Sequence, residues 1–123
     1  MKIKEIAFTG YPVTDMARAK AFYEGVLGLT VSRAWGDAAN PKWIEYDIGS
    51  GCLALMDGGE GWPPANAGPA AALEVDDFQG YIDKLKAGGV KFLWEPQESP
   101  PCWMAVVLDP DGNRLVIHHR KAG

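Results

Sequence analysis

The stretch Pro12–Leu29, PVTDMARAKAFYEGVLGL, decides the fold of the first half of the chain. Asp15 is followed by apolar side chains at spacings of three and four, which places them on one face of a helix: Met16, Ala19, Phe22, Tyr23, Val26 and Leu27. The Asp15 carboxylate can accept hydrogen bonds from the free amides of the first turn. Gly28 follows the last apolar position, where a left-handed residue ends many helices. The stretch predicts a capped amphipathic helix that comes after a strand.

The segments on either side of this helix have the composition of β-strands. Lys2–Phe8 alternates polar and apolar residues, with Ile3, Ile6 and Phe8 as the apolar positions. Three further extended runs follow the helix: Thr30–Trp35, Trp43–Ile48 and Cys52–Met56, with a glycine turn before the last. The first 57 residues therefore predict one strand, one helix and three strands.

The same order of segments returns after a Gly- and Pro-rich linker. Strands are predicted over Ala70–Val75, Val90–Trp94, Trp103–Leu108 and Arg114–His119, with a helix from Asp77 and a proline-bearing turn over Glu95–Pro101. A repeat of roughly sixty residues indicates a duplicated module. We predict a first module over 1–57, a linker over 58–69 and a second module over 70–123. The fold class is α+β, with eight strands and two helices.

Composition and charge exclude several classes of function. The net charge is −4 and no basic cluster is present, so nucleic acid is not expected as a partner. No apolar run approaches the ~20 residues of a membrane span, and the N-terminus lacks the apolar centre of a signal peptide. Cys52 and Cys102 have no cysteine or histidine at ligand spacing, so both are expected to be free thiols. A cytoplasmic protein is predicted.

Three motifs together resemble the vicinal oxygen chelate superfamily. They are the Val13–Asp15 helix start, the FYEGVLGL helix end and the turn DPDGN at 109–113. The superfamily includes glyoxalases, bleomycin-resistance proteins, fosfomycin-resistance enzymes and extradiol dioxygenases. The resemblance extends from Ile3 to His119. It implies two βαβββ modules that form a cupped, mostly antiparallel eight-stranded sheet, with the helices outside and a pocket inside, within one chain or between two.

The resemblance also implies where a divalent metal would be held in the enzymes of the superfamily. Its His and Glu ligands correspond to Phe8, Ala70 and Val116, and to a position near Ala54. None of these four side chains can coordinate a metal. The sequence therefore predicts that the usual metal site is absent and that no cofactor is bound.

Three polar residues are candidates for a displaced site. Glu45, Glu74 and His118 lie on predicted strands and could form an acid/base pair or hold a Zn, Ni, Fe or Mn ion. The alternative interpretation is that they lie at solvated strand ends. A lyase, isomerase or dioxygenase with such a shifted site is therefore the second functional hypothesis.

Five tryptophans in 123 residues favour a different function. Indole rings stack well against flat or cationic molecules, so the first hypothesis is metal-free binding of a small planar or aromatic molecule. The predicted ligand-binding residues are Phe8, Trp43, Trp103, Glu45, Glu74 and His118. Trp62 in the linker is either a staple onto the surface or a lid. A homodimer is expected, since a cupped sheet leaves strand edges to cover. A structural domain whose own side chains fill the cup is the third hypothesis.

Overall fold

A computed structural model of the protein describes residues 1–122. The chain divides into two compact units, Met1–Pro64 and a second unit that begins at Ala65. Each unit holds one four-stranded sheet and one main helix, and each has the predicted order strand, helix, strand, strand, strand. The α+β class and the two βαβββ modules are confirmed.

The first unit is built from four strands and a composite helix. The elements are β1 (Thr9–Pro12), α1 (Met16–Lys20) continuing as a π-helix over Ala21–Val26, β2 (Arg33–Asp37), β3 (Asn40–Ile48), β4 (Gly51–Met56) and a 3₁₀ turn (Gly59–Gly61). The sheet order is β1-β4-β3-β2. Strands β1 and β4 are parallel and the other neighbours are antiparallel.

The first helix begins and ends as its sequence predicts. Asp15 is the N-cap, and its Oδ1 accepts a hydrogen bond from the Arg18 amide at 3.1 Å. Gly28 has a φ of 81°, a conformation that glycine adopts without a steric penalty. The predicted apolar face is buried except at Val26, which is half-buried. The π-helical turn was not predicted from the spacing.

The strand predicted over Lys2–Phe8 is wrong, because β1 begins at Thr9. Ile3 and Ile6 are 95% and 84% exposed. Thr9 pairs with Leu53, and the neighbouring strand β4 starts only two residues earlier, at Gly51. The residues before Ala7 therefore lie beyond the end of β4 and have no strand there to pair with. Alternation alone cannot reveal the lack of a partner.

The second unit repeats this architecture. Its elements are β5 (Ala71–Glu74), α2 (Phe78–Ala87), β6 (Lys91–Glu98), β7 (Cys102–Leu108) and β8 (Arg114–Arg120), with the sheet order β5-β8-β7-β6. Asp77 caps α2 by accepting from the Gly80 amide at 3.0 Å. The turn predicted over Glu95–Pro101 is wrong at its start, since β6 continues to Glu98. The pairing with β7 shifts register between Trp94 and Gln97, which accommodates Pro96 and its missing N–H.

Each sheet packs one face against its own helix. In the first unit α1 contacts β3 and β4, and the ring of Tyr23 stacks on that of Tyr46 at 6.2 Å between centroids. In the second unit α2 contacts β8, and Phe78 lies 6.0 Å from Trp103. Because side chains alternate along a strand, the remaining residues of each sheet lie on the opposite surface, which we call its helix-free face.

Candidate functional site

The helix-free face of the first sheet has a middle row of small and charged residues. Strand pairing aligns Gly10 with Ala54, Ala54 with Glu45, and Glu45 with Arg33. Ala54 lies near one of the positions where the resemblance implies a metal ligand. Its methyl group offers no donor atom, and neither does Phe8, which precedes β1. The residues present at these two positions do not fit the superfamily's metal.

Three aromatic side chains lie beside the Gly10 end of this row, and we call them the aromatic platform: Phe8, Trp43 and Trp62. The rings of Phe8 and Trp43 meet edge to face, with centroids 5.2 Å apart and planes at 87°. They come from the two sides of β4, so their contact spans the strand that carries Ala54. Phe8 is 40% exposed and Trp62 is 39% exposed. The platform therefore presents apolar ring surface to solvent.

Glu45 holds the orientation of Trp43. Its Oε2 accepts the indole N–H of Trp43 at 2.8 Å, and its Oε1 accepts from Nε of Arg33 at 2.7 Å. Arg33 also pairs with Asp47 through both terminal nitrogens, at 3.1 and 2.5 Å. These hydrogen bonds from Arg33, and next from Trp43, lower the pKa of Glu45. Glu45 is therefore an ionised acceptor at neutral pH and not a proton donor.

Cys52 lies beside this cluster on the same face, opposite Asp47. It is a free thiol and half-buried. Burial raises its pKa above the ordinary value, and the carboxylate of Glu45 adds to the effect. The thiolate is the reactive form of cysteine, so Cys52 has no activation as a nucleophile.

In the second unit the structure brings Glu74 and His118 together. The two residues pair across β5 and β8, and Nδ1 of His118 lies 2.5 Å from Oε1 of Glu74. Oε2 of Glu74 accepts the backbone N–H of Arg120 at 2.7 Å. That N–H, and next His118, lower the pKa of Glu74. An ionised carboxylate only accepts, so His118 donates from Nδ1 and presents Nε2 to other groups.

The surroundings of this pair are basic. A cavity of about 330 Å³ lies beside His118 and is also lined by Cys102, Arg120 and Lys121. His118 is paired across the sheet with Met104. Met104 and Glu74 lie with it on the helix-free face. The pair can move a proton or accept one from a bound molecule, which keeps it a candidate for chemistry.

Trp103 does not lie on that face, contrary to the expectation that it lines the same pocket as His118. Its side chain alternates with Met104 and points toward α2, where its ring packs against Phe78. Nζ of Lys121 lies 5.4 Å from the ring centroid. A cavity of about 270 Å³ on this side is lined by Trp103, Phe78, His119, Asp76, Asp77 and Gln79. Trp43 and Trp103 are therefore not equivalent positions of the two modules.

The remaining positions implied for a metal are also apolar in the structure. Ala70 precedes β5, and Val116 lies on β8 opposite Ala72. Across residues 1–122, no group of three or more His, Cys, Asp or Glu side chains is placed to hold a metal ion. Glu45 belongs to the first unit, and Glu74 and His118 belong to the second. Within its own unit, each carboxylate is used by a neighbouring arginine or histidine group.

Two members of the first site, Arg33 and Gly10, are not among the residues that the sequence predicts for it. Arg33 lies in a predicted strand, and nothing in a single sequence shows that it pairs with both Glu45 and Asp47. No role is predicted for Gly10, because the predicted strand ends at Phe8. A glycine inside a strand often marks a close approach by another group, but Gly10 is inside a strand only once β1 is placed over Thr9–Pro12. Here the approaching group is Trp62.

The chain as a whole resembles proteins of a known superfamily. The family model described as Glyoxalase/Bleomycin resistance protein/Dioxygenase superfamily matches residues 4–117, and the chain belongs to this superfamily. No helix within residues 1–122 is long and apolar enough to cross a membrane.

Individual proteins of known sequence or structure are identical to this chain at about a quarter of the aligned positions. The chain is 27% identical over 123 residues to the uncharacterized protein YetH of Bacillus subtilis, with 94% of this chain and 98% of YetH covered. It is 26% identical over 113 residues to the glutathione transferase FosA of Serratia marcescens, with 86% and 74% covered. Among solved structures, TnmS3, an antibiotic binding protein from Streptomyces sp. CB03234, matches with a TM-score of 0.78. Its identity is 25%, and 98% of this chain and 99% of TnmS3 are covered.

Proposed function

We propose that this protein binds a small planar organic molecule on the aromatic platform of its first unit, without a metal. The observation that carries the proposal is the contact of Phe8 with Trp43 on the face where the superfamily's coordinating positions are apolar. The resemblance to TnmS3, an antibiotic binding protein, supports the same kind of function.

The chemistry of the platform favours stacking over polar recognition. The indole N–H of Trp43 is already used by Glu45, so a ligand meets the ring through its π face. Aromatic pairs contribute about 0.5–1.5 kcal/mol beyond the area that they bury. One guanidinium, Arg33, faces two carboxylates, Glu45 and Asp47, at the platform's edge. The uncompensated negative charge favours a planar cation over a planar anion.

A calorimetric titration tests the proposal. The probe is N-methylacridinium, a flat cation, and a neutral flat compound, acridone, is the comparison. Wild-type protein should bind the cation saturably and more tightly than acridone. Phe8→Ala should weaken binding by about three- to tenfold, the equivalent of one stacking contact. Trp94→Leu is the matched control, because Trp94 is 46% exposed on the second sheet. If wild-type protein gives no saturable heat with either compound, the proposal fails.

The absence of a metal needs a separate measurement. Protein purified without chelators should contain substoichiometric Zn, Ni, Fe and Mn by elemental analysis. One metal ion per chain would overturn this part of the proposal. A metal that remains bound after Glu74→Gln and His118→Gln substitutions would place the ligands elsewhere.

The second candidate function is an enzyme that uses His118 and carboxylates, as a lyase, isomerase or dioxygenase. It is favoured by the 2.5 Å contact between His118 and Glu74, which leaves Nε2 of the imidazole available. FosA, a relative named as a glutathione transferase, is consistent with enzymatic chemistry in the superfamily. A calorimetric titration with Zn²⁺, Ni²⁺ and Mn²⁺ separates the two functions. Binding that is lost in His118→Gln favours the enzyme.

A homodimer and a cytoplasmic location stay predictions. Sedimentation velocity at several protein concentrations tests the first, and cell fractionation tests the second. A species of about 13.3 kDa at every concentration would contradict the dimer.

A further inference from the structure

We infer that Trp62 is a ligand-contacting wall of the aromatic platform, and that Gly10 is the residue that admits it. The inference rests on the proposed function, and it assigns to the segment after β4 a direct part in choosing the ligand. The sequence left two interpretations of Trp62 open, a staple and a lid. We replace both with a fixed wall, which packs on the sheet and still exposes part of its ring.

The first step is the contact between Trp62 and β1. A methyl group built at Gly10 would lie 2.7 Å from Cη2 of Trp62 and 3.3 Å from Cζ2. Cβ atoms essentially never come within 2.7 Å of another heavy atom, so the six-membered part of the indole occupies the space that a side chain at residue 10 would need. The same methyl group would lie 3.3 Å from Cε2 of Phe8. Trp62 therefore reaches the immediate neighbourhood of Phe8.

The second step is how the chain returns to this position. Strand β4 ends at Met56, which is paired with Pro12 of β1. A 3₁₀ turn follows, and Trp62 comes directly after it. At Gly58 an added methyl group would lie 3.0 Å from Cβ of Trp62 and 3.1 Å from Cε of Met56. The turn is thus packed tightly around the base of the tryptophan.

The side chain of Trp62 is also partly exposed to solvent. A tryptophan that served only to fasten the segment would be expected to bury its ring, yet Trp62 is 39% exposed. Phe8 beside it is 40% exposed. Trp62 and Phe8 both lie close to Gly10 on β1, and Phe8 contacts Trp43 on β3. Two strand spacings separate β1 from β3, about 10 Å, which suits a flat molecule of several fused rings.

The test compares ligand size as well as affinity. N-methylacridinium has three fused rings and N-methylquinolinium has two. Trp62→Leu should weaken acridinium binding by about five- to tenfold, as expected for one lost aromatic contact, and should weaken quinolinium binding less. General damage to the fold would weaken the binding of both probes equally, so the ratio of their two dissociation constants is the decisive quantity.

A pair of glycine variants tests the position of Trp62 while retaining all three aromatic side chains of the platform. Gly10→Ala forces Trp62 off β1 and should lower the acridinium preference. Gly61→Ala is the matched control in the same segment, because nothing lies within 4 Å of a methyl group there. It should bind both probes like wild-type protein. Calorimetry reports binding without relying on tryptophan emission, and thermal unfolding reports the fold.

The outcomes separate this inference from the function on which it rests. If Phe8→Ala weakens binding while Trp62→Leu and Gly10→Ala match wild-type protein, Phe8 and Trp43 bind the ligand and Trp62 is only a staple. If wild-type protein binds neither probe, the proposed function fails and the inference fails with it. If Trp62→Leu does not fold, Gly10→Ala alone decides, and an unchanged ratio in that variant overturns the inference.

Discussion

Trp43 donates its indole N–H to Glu45, two residues further along the same strand, over 2.8 Å. The two side chains lie on one face because β3 alternates, and Arg33 from the neighbouring strand holds the other oxygen of the carboxylate. A surface tryptophan is in this way fixed by a charged neighbour. Such fixation lowers the entropy that a ring loses when a ligand stacks on it.

The first prediction concerns this hydrogen bond. Glu45→Gln removes the charge that accepts from both Trp43 and Arg33, so the indole N–H should exchange faster with solvent and its NMR resonance should shift. Asp47→Asn is the control, since Asp47 pairs with the same arginine and does not touch Trp43. The spectrum of Trp43→Phe identifies the resonance. Equal shifts in the two carboxylate variants would contradict the assigned role of Glu45.

The second prediction concerns the buried phenol of Tyr46. Its hydroxyl donates to Oε2 of Glu24 at 2.8 Å, and the residue is fully buried. Burial, and next Glu24, raise the pKa of Tyr46, so the phenol stays protonated at every ordinary pH. Tyr46→Phe leaves a half-buried carboxylate without this donor and should lower the free energy of unfolding by about 1–3 kcal/mol in urea denaturation.

Tyr81→Phe is the control for that measurement. Tyr81 is only half-buried, and its ring is approached by Nζ of Lys84 at 5.8 Å. The free energy of unfolding of the Tyr81→Phe variant should stay within about 0.5 kcal/mol of that of wild-type protein. An equal loss in both variants would show that the bond to Glu24 contributes nothing specific.

The third prediction concerns the start of α2. Asp77 accepts from the Gly80 amide, so Asp77→Ala should cost about 1 kcal/mol of stability, the usual value of an N-cap. Asp76→Ala changes the same charge one residue earlier without removing the cap, and its effect should stay within about 0.5 kcal/mol. Thermal or urea unfolding of the two variants decides. If Asp76→Ala lost more stability than Asp77→Ala, the local charge and not the cap would be responsible.

The fourth prediction is a pH dependence at Glu74. The backbone N–H of Arg120 and the His118 ring hold the pKa of Glu74 in the folded protein below its ordinary value of 4.5. The ionised form is therefore favoured by folding. The resulting stability is present above that ordinary value and is lost as the pH falls through the folded pKa.

Glu74→Gln tests this relationship. The variant should be less stable than wild-type protein at pH 7, and the difference should shrink as the pH is lowered below 4. Chemical denaturation at several pH values measures it. A difference that stays constant down to pH 2 would mean that Glu74 acts through its hydrogen bonds to Arg120 and His118 and not through its charge.

Several features of the fold follow from local patterns that need no tertiary information. Asp15 and Asp77 are recognisable as caps because the free amides of a first turn need an acceptor, and Gly28 is recognisable because few residues adopt its φ. The duplicated order of segments then gives two βαβββ modules. Glu74 and His118 are recognisable as candidates because both are polar residues on predicted strands, but their contact follows from the pairing of β5 with β8, which the structure supplies.

Other features depend on which strand lies next to which. The exposure of Ile3 and Ile6 depends on where β4 begins, and the extension of β6 through Pro96 depends on a shift in its pairing with β7. Trp103 was assigned to the wrong face for a related reason. A one-residue difference in register moves a side chain to the other side of a sheet, and the sequence does not state the register.

The sequence by itself determined the helices, the repeat and the loss of coordinating side chains at the superfamily's metal positions, because each is a matter of residue type or short-range spacing. Only the tertiary structure decided that Trp62 lies on Gly10, that Arg33 joins Glu45 to Asp47, and that Trp103 packs on Phe78. These contacts join residues 12 to 52 positions apart in the chain. The pairing of strands and the packing of side chains fix these contacts, and the local preferences of the residues do not encode that pairing.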